Sequence, residues 1–119
     1  MNVKIYKFIN LDYLEMMSDG DESMKKVMLE MLITELPQEI SKMKELLAQK
    51  DGESLSSVSH KLKSTLAFVG NDEMTEANIQ IEQMAKSATD SPEMQEAMNL
   101  LEKLYPSVIS EIEEEVARL

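Results

Sequence analysis

SVSHKLKSTLAFVG, residues 57–70, contains the only histidine of the chain, His60. On a helix at about 100° per residue, Leu55, Val58, Leu62, Leu66 and Val69 fall in one narrow stripe. Their spacings of 3, 4, 4 and 3 are those of an amphipathic helix with one buried face. His60 lies about 160° from the centre of that stripe, so the imidazole is directed outward. Its neighbours on the same face are small: Ser56, Ser64 and Ala67. Lys63, one turn further on, carries a cation within reach of the same patch. The segment is therefore read as a helix over about 52–69, capped by Asp51 at its start and ended by Gly70.

Outward from this helix the pattern stays helical. Upstream, Asp21 is expected to cap a helix with Met24, Val27, Met28, Met31, Leu32 and Leu36 as its apolar positions. Pro37 interrupts it, but the phase resumes with Ile40, Met43 and Leu47, which predicts one kinked helix to about Gln49, with a break into two segments as the alternative. Before it, Asn10 is an N-cap candidate for a short helix over Leu11–Met17, broken by Ser18-Asp19-Gly20. Residues 1–9 include Val3, Ile5 and Phe8 but no cap, and carry no assignable element. Downstream, Asn71 or Asp72 should cap a helix to about Ser87, with Met74, Ala77, Ile81, Met84 and Ala88 on one face. Ser91 followed by Pro92 marks a last helix with Met94, Ala97, Leu101, Leu104, Val108, Ile112, Val116 and Leu119 in phase through Pro106. Most of the 11 methionines fall on these stripes and read as core filler. The acidic run Glu111–Glu115 reads as a solvated face.

The expected fold is all-α: an antiparallel up-down-up-down four-helix bundle with a short N-terminal capping helix, formed as one domain over 1–119. A chain of 119 residues can bury a core without staples. With no cysteine, disulfides, thiolate metal sites and a cysteine nucleophile are excluded. A zinc site at His60 would lack partners, since there is no second histidine. A formal charge of −11 speaks against nucleic acid and anionic membranes as partners. No apolar run exceeds four residues and Lys4, Lys7 and Asp12 break the N-terminal stretch, so neither a transmembrane helix nor a signal peptide is expected. A cytoplasmic location follows by default.

His60-Lys61-Leu62-Lys63-Ser64-Thr65, with Gly70 ten residues after the histidine, resembles the phospho-accepting motif of histidine-containing phosphotransfer (HPt) domains. The family pattern is approximately His-x-Leu-Lys-Gly-small followed by glycine at +10. Ser64 stands where glycine is usual. The helix order extends the resemblance over about Leu11–Leu119. Ile81-Glu82 matches a Leu-Glu pair common in the next helix, and Lys86 a position often basic.

The resemblance implies a phosphorelay carrier. An HPt domain takes a phosphoryl group from a receiver-domain aspartate and passes it to another receiver, which supplies the acidic pocket and Mg²⁺. The chain itself would need no cofactor. His60 would be the phospho-acceptor, Lys63 the phosphate-stabilising cation and Ser64 the small residue permitting approach. Glu82 and Lys86 would contribute from behind. Leu11, Met16, Met17, Met24 and Ala67 are the candidates for an apolar docking patch. Imidazole nitrogen is a competent nucleophile near neutral pH, and Nε2 is the expected attachment point. There is no glycine-rich phosphate loop, so ATP-dependent self-phosphorylation is not expected. The partners implied are response-regulator receivers or a hybrid histidine kinase. The length and initiator methionine suit a whole protein, with a domain of a larger kinase as the alternative. The competing reading is a helical adaptor of the same fold that binds a partner without accepting phosphate, for which Ser64 speaks.

Overall fold

A computed structural model describes residues 4–119. Among them are five helices and no strand: α1 (Asp12–Ser18), α2 (Glu22–Ala48), α3 (Gly52–Val69), α4 (Asp72–Met84) and α5 (Pro92–Arg118). Of the unassigned stretch 1–9, residues 1–3 lie outside the described residues. Residues 4–10 form a non-helical strap.

The four longer helices begin on side-chain caps. Asp21 accepts from the Met24 N–H at 3.1 Å, Asp51 from Ser54 at 3.2 Å, Asn71 from Met74 at 3.0 Å, and Ser91 from Met94 at 3.1 Å. Each satisfies one of the N–H groups a helix start leaves without a partner. The first helix corrects the expectation at Asn10. It starts at Asp12 with Leu11 in the cap position, and Asn10 accepts the Asp12 N–H from just outside, at 2.9 Å. Gly70 closes α3 with φ of 72°, and its N–H reaches the Leu66 carbonyl at 3.0 Å. A Cβ there would also run into the Asn10 carbonyl, so glycine is needed twice over.

Pro37 and Pro106 both lie inside continuous helices. Helix α2 packs against α3 and α5, and α4 against the same two, while α1 sits on α2 and α3. The enclosed core includes Leu29, Leu36, Ile40 and Met43 from α2, Leu55, Leu62, Leu66 and Val69 from α3, Met74 and Ile81 from α4, and Met94, Leu101, Val108 and Ile112 from α5. Burying each such side chain is worth about 1.5–3 kcal/mol relative to exposure.

Several expectations are corrected by this packing. On α2 the inward face runs through Leu29, Leu32, Leu36, Ile40, Met43 and Leu46, whereas Met24, Val27 and Met31 are exposed. The segment from Val27 to Ile33 is apolar on several sides, so its periodicity does not choose a face. The methionines divide: Met43, Met74, Met94 and Met98 are buried, but Met16, Met17, Met24 and Met31 are exposed. Helix α4 ends at Met84, short of Ser87, and the Met84 carbonyl accepts from both Ser87 and Ala88. Leu119 is exposed past the end of α5.

The run Glu111–Glu115 is not a simple solvated face. Glu111 accepts the backbone N–H groups of Lys7, Phe8 and Ile9 and so holds the strap. Glu115 is buried and bonds Tyr6, Lys25 and Arg118 at 2.6–2.8 Å. Burial opposes its charged form, but Lys25 and Tyr6 outweigh that and hold its carboxyl below the usual carboxylate range.

Candidate functional site

The core phase of α3 decides where His60 points. Leu62 and Leu66 turn inward, and the imidazole stands on the opposite side with its side chain 72% exposed. Glu82, on α4, lies behind it. One carboxylate oxygen, Oε2, is 2.8 Å from His60 Nδ1, and the other, Oε1, is 2.8 Å from Lys63 Nζ. Lys63 and His60 thus share one acceptor across the α3–α4 seam.

This geometry fixes a proton. Lys63, and then His60, bond the ionised form of Glu82 and hold its carboxyl below the usual range. An ionised carboxylate only accepts hydrogen bonds, so Nδ1 must be the donor. In the neutral ring the lone pair is then on Nε2, the nitrogen farther from the backbone.

Ser64 and Ala67 are exposed on α3, on the side of the helix that carries His60. Lys86 is exposed in the turn after α4 and does not join the group formed by His60, Lys63 and Glu82. On α1, Met16 is 65% and Met17 52% exposed, and Met24 at the start of α2 is 48% exposed. Leu11 is half-buried and packs against the core. Helix α1 is tied to the end of α3 by the Tyr13 and Phe68 rings, 5.2 Å apart, and by the Asn10 N–H on the Val69 carbonyl at 2.9 Å.

Comparison with known proteins meets this geometry. The family model described as Hpt domain matches residues 27–119, most of the chain and all of α3 and α4. The chain belongs to the Hpt domain family. It is thereby one of the phosphotransfer domains of two-component signalling, a family whose members interact with receiver domains and histidine kinases. Its fold resembles the crystal structure of the HPT domain from the Hpt sensor hybrid histidine kinase of Shewanella, with a TM-score of 0.71 and 24% identity over 93% of this chain and 95% of that one. No curated protein sequence matches the chain.

This Hpt chain holds buried polar contacts that its sequence does not mark. Ser56 and Ser64 flank His60 on its outward face, but two other hydroxyl residues of α3, Ser59 and Thr65, are buried. Ser59 bonds Asn78 on α4, and the Thr65 hydroxyl donates to Glu39 Oε1 on α2 at 2.8 Å. The only trace in the sequence is position: Leu55, Ser59, Leu62 and Leu66 are spaced 4, 3 and 4, so Ser59 shares the inward face. No helix among the described residues is long and apolar enough to cross a membrane.

Proposed function

We propose that this chain is a phosphoryl carrier of a phosphorelay, charged at His60 by a receiver aspartate and discharged to another receiver. The observation that carries this reading is the bond from Nδ1 to Glu82, which in the neutral ring leaves the lone pair on Nε2, on a side chain that is 72% exposed. Nε2 attacks the phosphorus of an aspartyl phosphate. The N–P bond forms, the P–O bond to the aspartate breaks, and the aspartate leaves as a carboxylate. The Nδ1 proton stays in place, so the ring becomes cationic and Glu82 faces that charge. No proton has to be removed. The work left is in-line positioning and neutralisation of the phosphoryl oxygens. Lys63 is the cation of this chain for that task, and Mg²⁺ would be contributed by the receiver.

Exposure of Ser64, Met16, Met17 and Met24 supports a docking face that runs from His60 along α3 to α1. Ala67 lies on this route, two turns beyond His60, and Leu11 seats α1 on the core. The packing of α2 with α3 and α5, and of α4 with the same pair, supports an up-down-up-down four-helix bundle under α1, folded as one domain. A cytoplasmic setting fits these partners.

The test is ³¹P NMR of the phosphorylated chain. The expected species is Nε2-phosphohistidine. A label attached through Nδ1 would contradict the role given to Glu82.

A further inference from the structure

Two contacts define how α3 lies on α4. Ser59 and Asn78 are buried, and they bond both ways. The Ser59 hydroxyl donates to Asn78 Oδ1 at 2.7 Å, with the Asn78 carbonyl at 3.1 Å, and Asn78 Nδ2 donates to the Ser59 carbonyl at 2.9 Å. Seven residues before Ser59, Gly52 lies so close to α4 that a Cβ would overlap the backbone carbonyl of Ala85, which is seven residues after Asn78. The helices therefore run in opposite directions in a single register, pinned at two points one heptad apart. His60 follows Ser59, and Glu82 lies between the pins on α4, four residues after Asn78 and three before Ala85.

We infer that Gly52, Ser59 and Asn78 are positioning residues that hold Glu82 against His60 and so set which imidazole nitrogen is free to react. The inference rests on reading His60 as the phospho-acceptor. An exposed ion pair is weak and screened, and cannot set the distance between two helices. A buried two-way bond can, because slipping the register leaves an amide and a hydroxyl buried without partners. Glycine at position 52 fixes how close the far pin comes. The chemistry at the surface then follows from a register chosen inside.

His60 is the only histidine, so its ring nitrogens can be read without ambiguity by long-range ¹H–¹⁵N correlation in the unphosphorylated protein. The variants are Ser59→Ala, Asn78→Ala and Gly52→Ala, with Glu82→Gln as the reference for a lost partner. Thr65→Val is the control, because it removes a buried bond from the α2 side of the same helix. The three seam variants should shift Nδ1 and Nε2 toward the Glu82→Gln positions, mixing the tautomers, while Thr65→Val keeps the wild-type shifts. Transfer from a phosphorylated receiver should slow about tenfold in the seam variants, less than the 10²-fold that a 1 Å misplacement can cost. Gly52→Ala removes no hydrogen-bonding group and acts only through the Cβ that meets the Ala85 carbonyl, so it tests the register by a separate route if either polar variant fails to fold. Wild-type nitrogen shifts in Gly52→Ala and Ser59→Ala, beside moved shifts in Glu82→Gln, would overturn the inference. So would an equal movement in Thr65→Val. Failure of His60 to accept phosphate would sink the proposed function but would not change this readout.

Discussion

Glu82 Oε2 lies 2.8 Å from His60 Nδ1 although the two residues are 22 apart in sequence and on different helices. The same carboxylate holds Lys63 through its other oxygen. A single side chain thus orients both the proposed nucleophile and the cation assigned to the phosphoryl group. Glu82→Gln should slow transfer and mix the ring tautomers, because an amide can present its NH₂ or its oxygen to Nδ1 and does not demand a proton there. Single-turnover transfer kinetics check the first outcome and ¹⁵N shifts the second.

The pH dependence of this contact has a definite sign. Glu82 titrates below its ordinary value, through Lys63 first and His60 second. Its contribution is complete above the unfolded carboxylate value of about 4.3 and is lost as pH falls through the lowered folded value. The thermal midpoints of wild type and Glu82→Gln should therefore converge as pH drops below about 4. A gap that stays constant down to pH 2 would mean that the carboxylate is not engaged.

Glu39 shows the opposite sign. It is buried on α2 and accepts from Thr65, but its Oε2 has no hydrogen-bond partner. Burial raises its pKa, opposed by the Thr65 bond and the attraction of Lys61. The folded state therefore takes up a proton, and stability falls as pH rises from the ordinary carboxylate value through the raised one. The double variant Glu39→Met/Thr65→Val, which removes both partners of the buried bond, should be more stable than Thr65→Val alone at neutral pH by about 1 kcal/mol, and the gain should shrink toward pH 4. Denaturant titration at the two pH values measures it.

Much of this molecule was legible in the sequence because α3 has one clean apolar stripe. Leu55, Leu62, Leu66 and Val69 fix the phase, and an outward His60 follows. Caps at Asp21, Asp51, Asn71 and Ser91 were readable because each lies just before an apolar period. The face of α2 was not, since the stretch around Met28 is apolar on several sides. The buried partners Ser59–Asn78 and Thr65–Glu39 were hidden for a related reason: a small polar residue on an inward face looks like an exposed one until its partner is known. The end of α4 carries no local signal, since neither glycine nor proline occurs between Met84 and Pro92. Glu115 looked solvated because its three partners come from the strap, α2 and the end of α5.

Access at Ser64 can be tested by size. Ser64→Gly should preserve or speed transfer, whereas Ser64→Leu should block docking with the fold intact. Wild-type transfer in Ser64→Leu would show that approach over this position is not limiting.

The exposed methionines of α1 give a separate prediction. Met17→Asp should weaken receiver binding about tenfold, or about 1.4 kcal/mol, while circular dichroism and the thermal midpoint stay unchanged. Isothermal titration against a binding receiver reads the affinity, and an unaltered Kd would remove α1 from the docking face.

The proposed function stands on His60 as the carrier of the phosphoryl group. The most direct measurement is transfer from a panel of phosphorylated receivers with Mg²⁺ to wild type and to His60→Gln. An acid-labile, alkali-stable label should appear on the wild type alone. The stability change in His60→Gln should stay within about 0.5 kcal/mol, as for an exposed residue outside the core. A folded wild type that takes label from none of the receivers, or a His60→Gln variant that still takes it, would contradict that role.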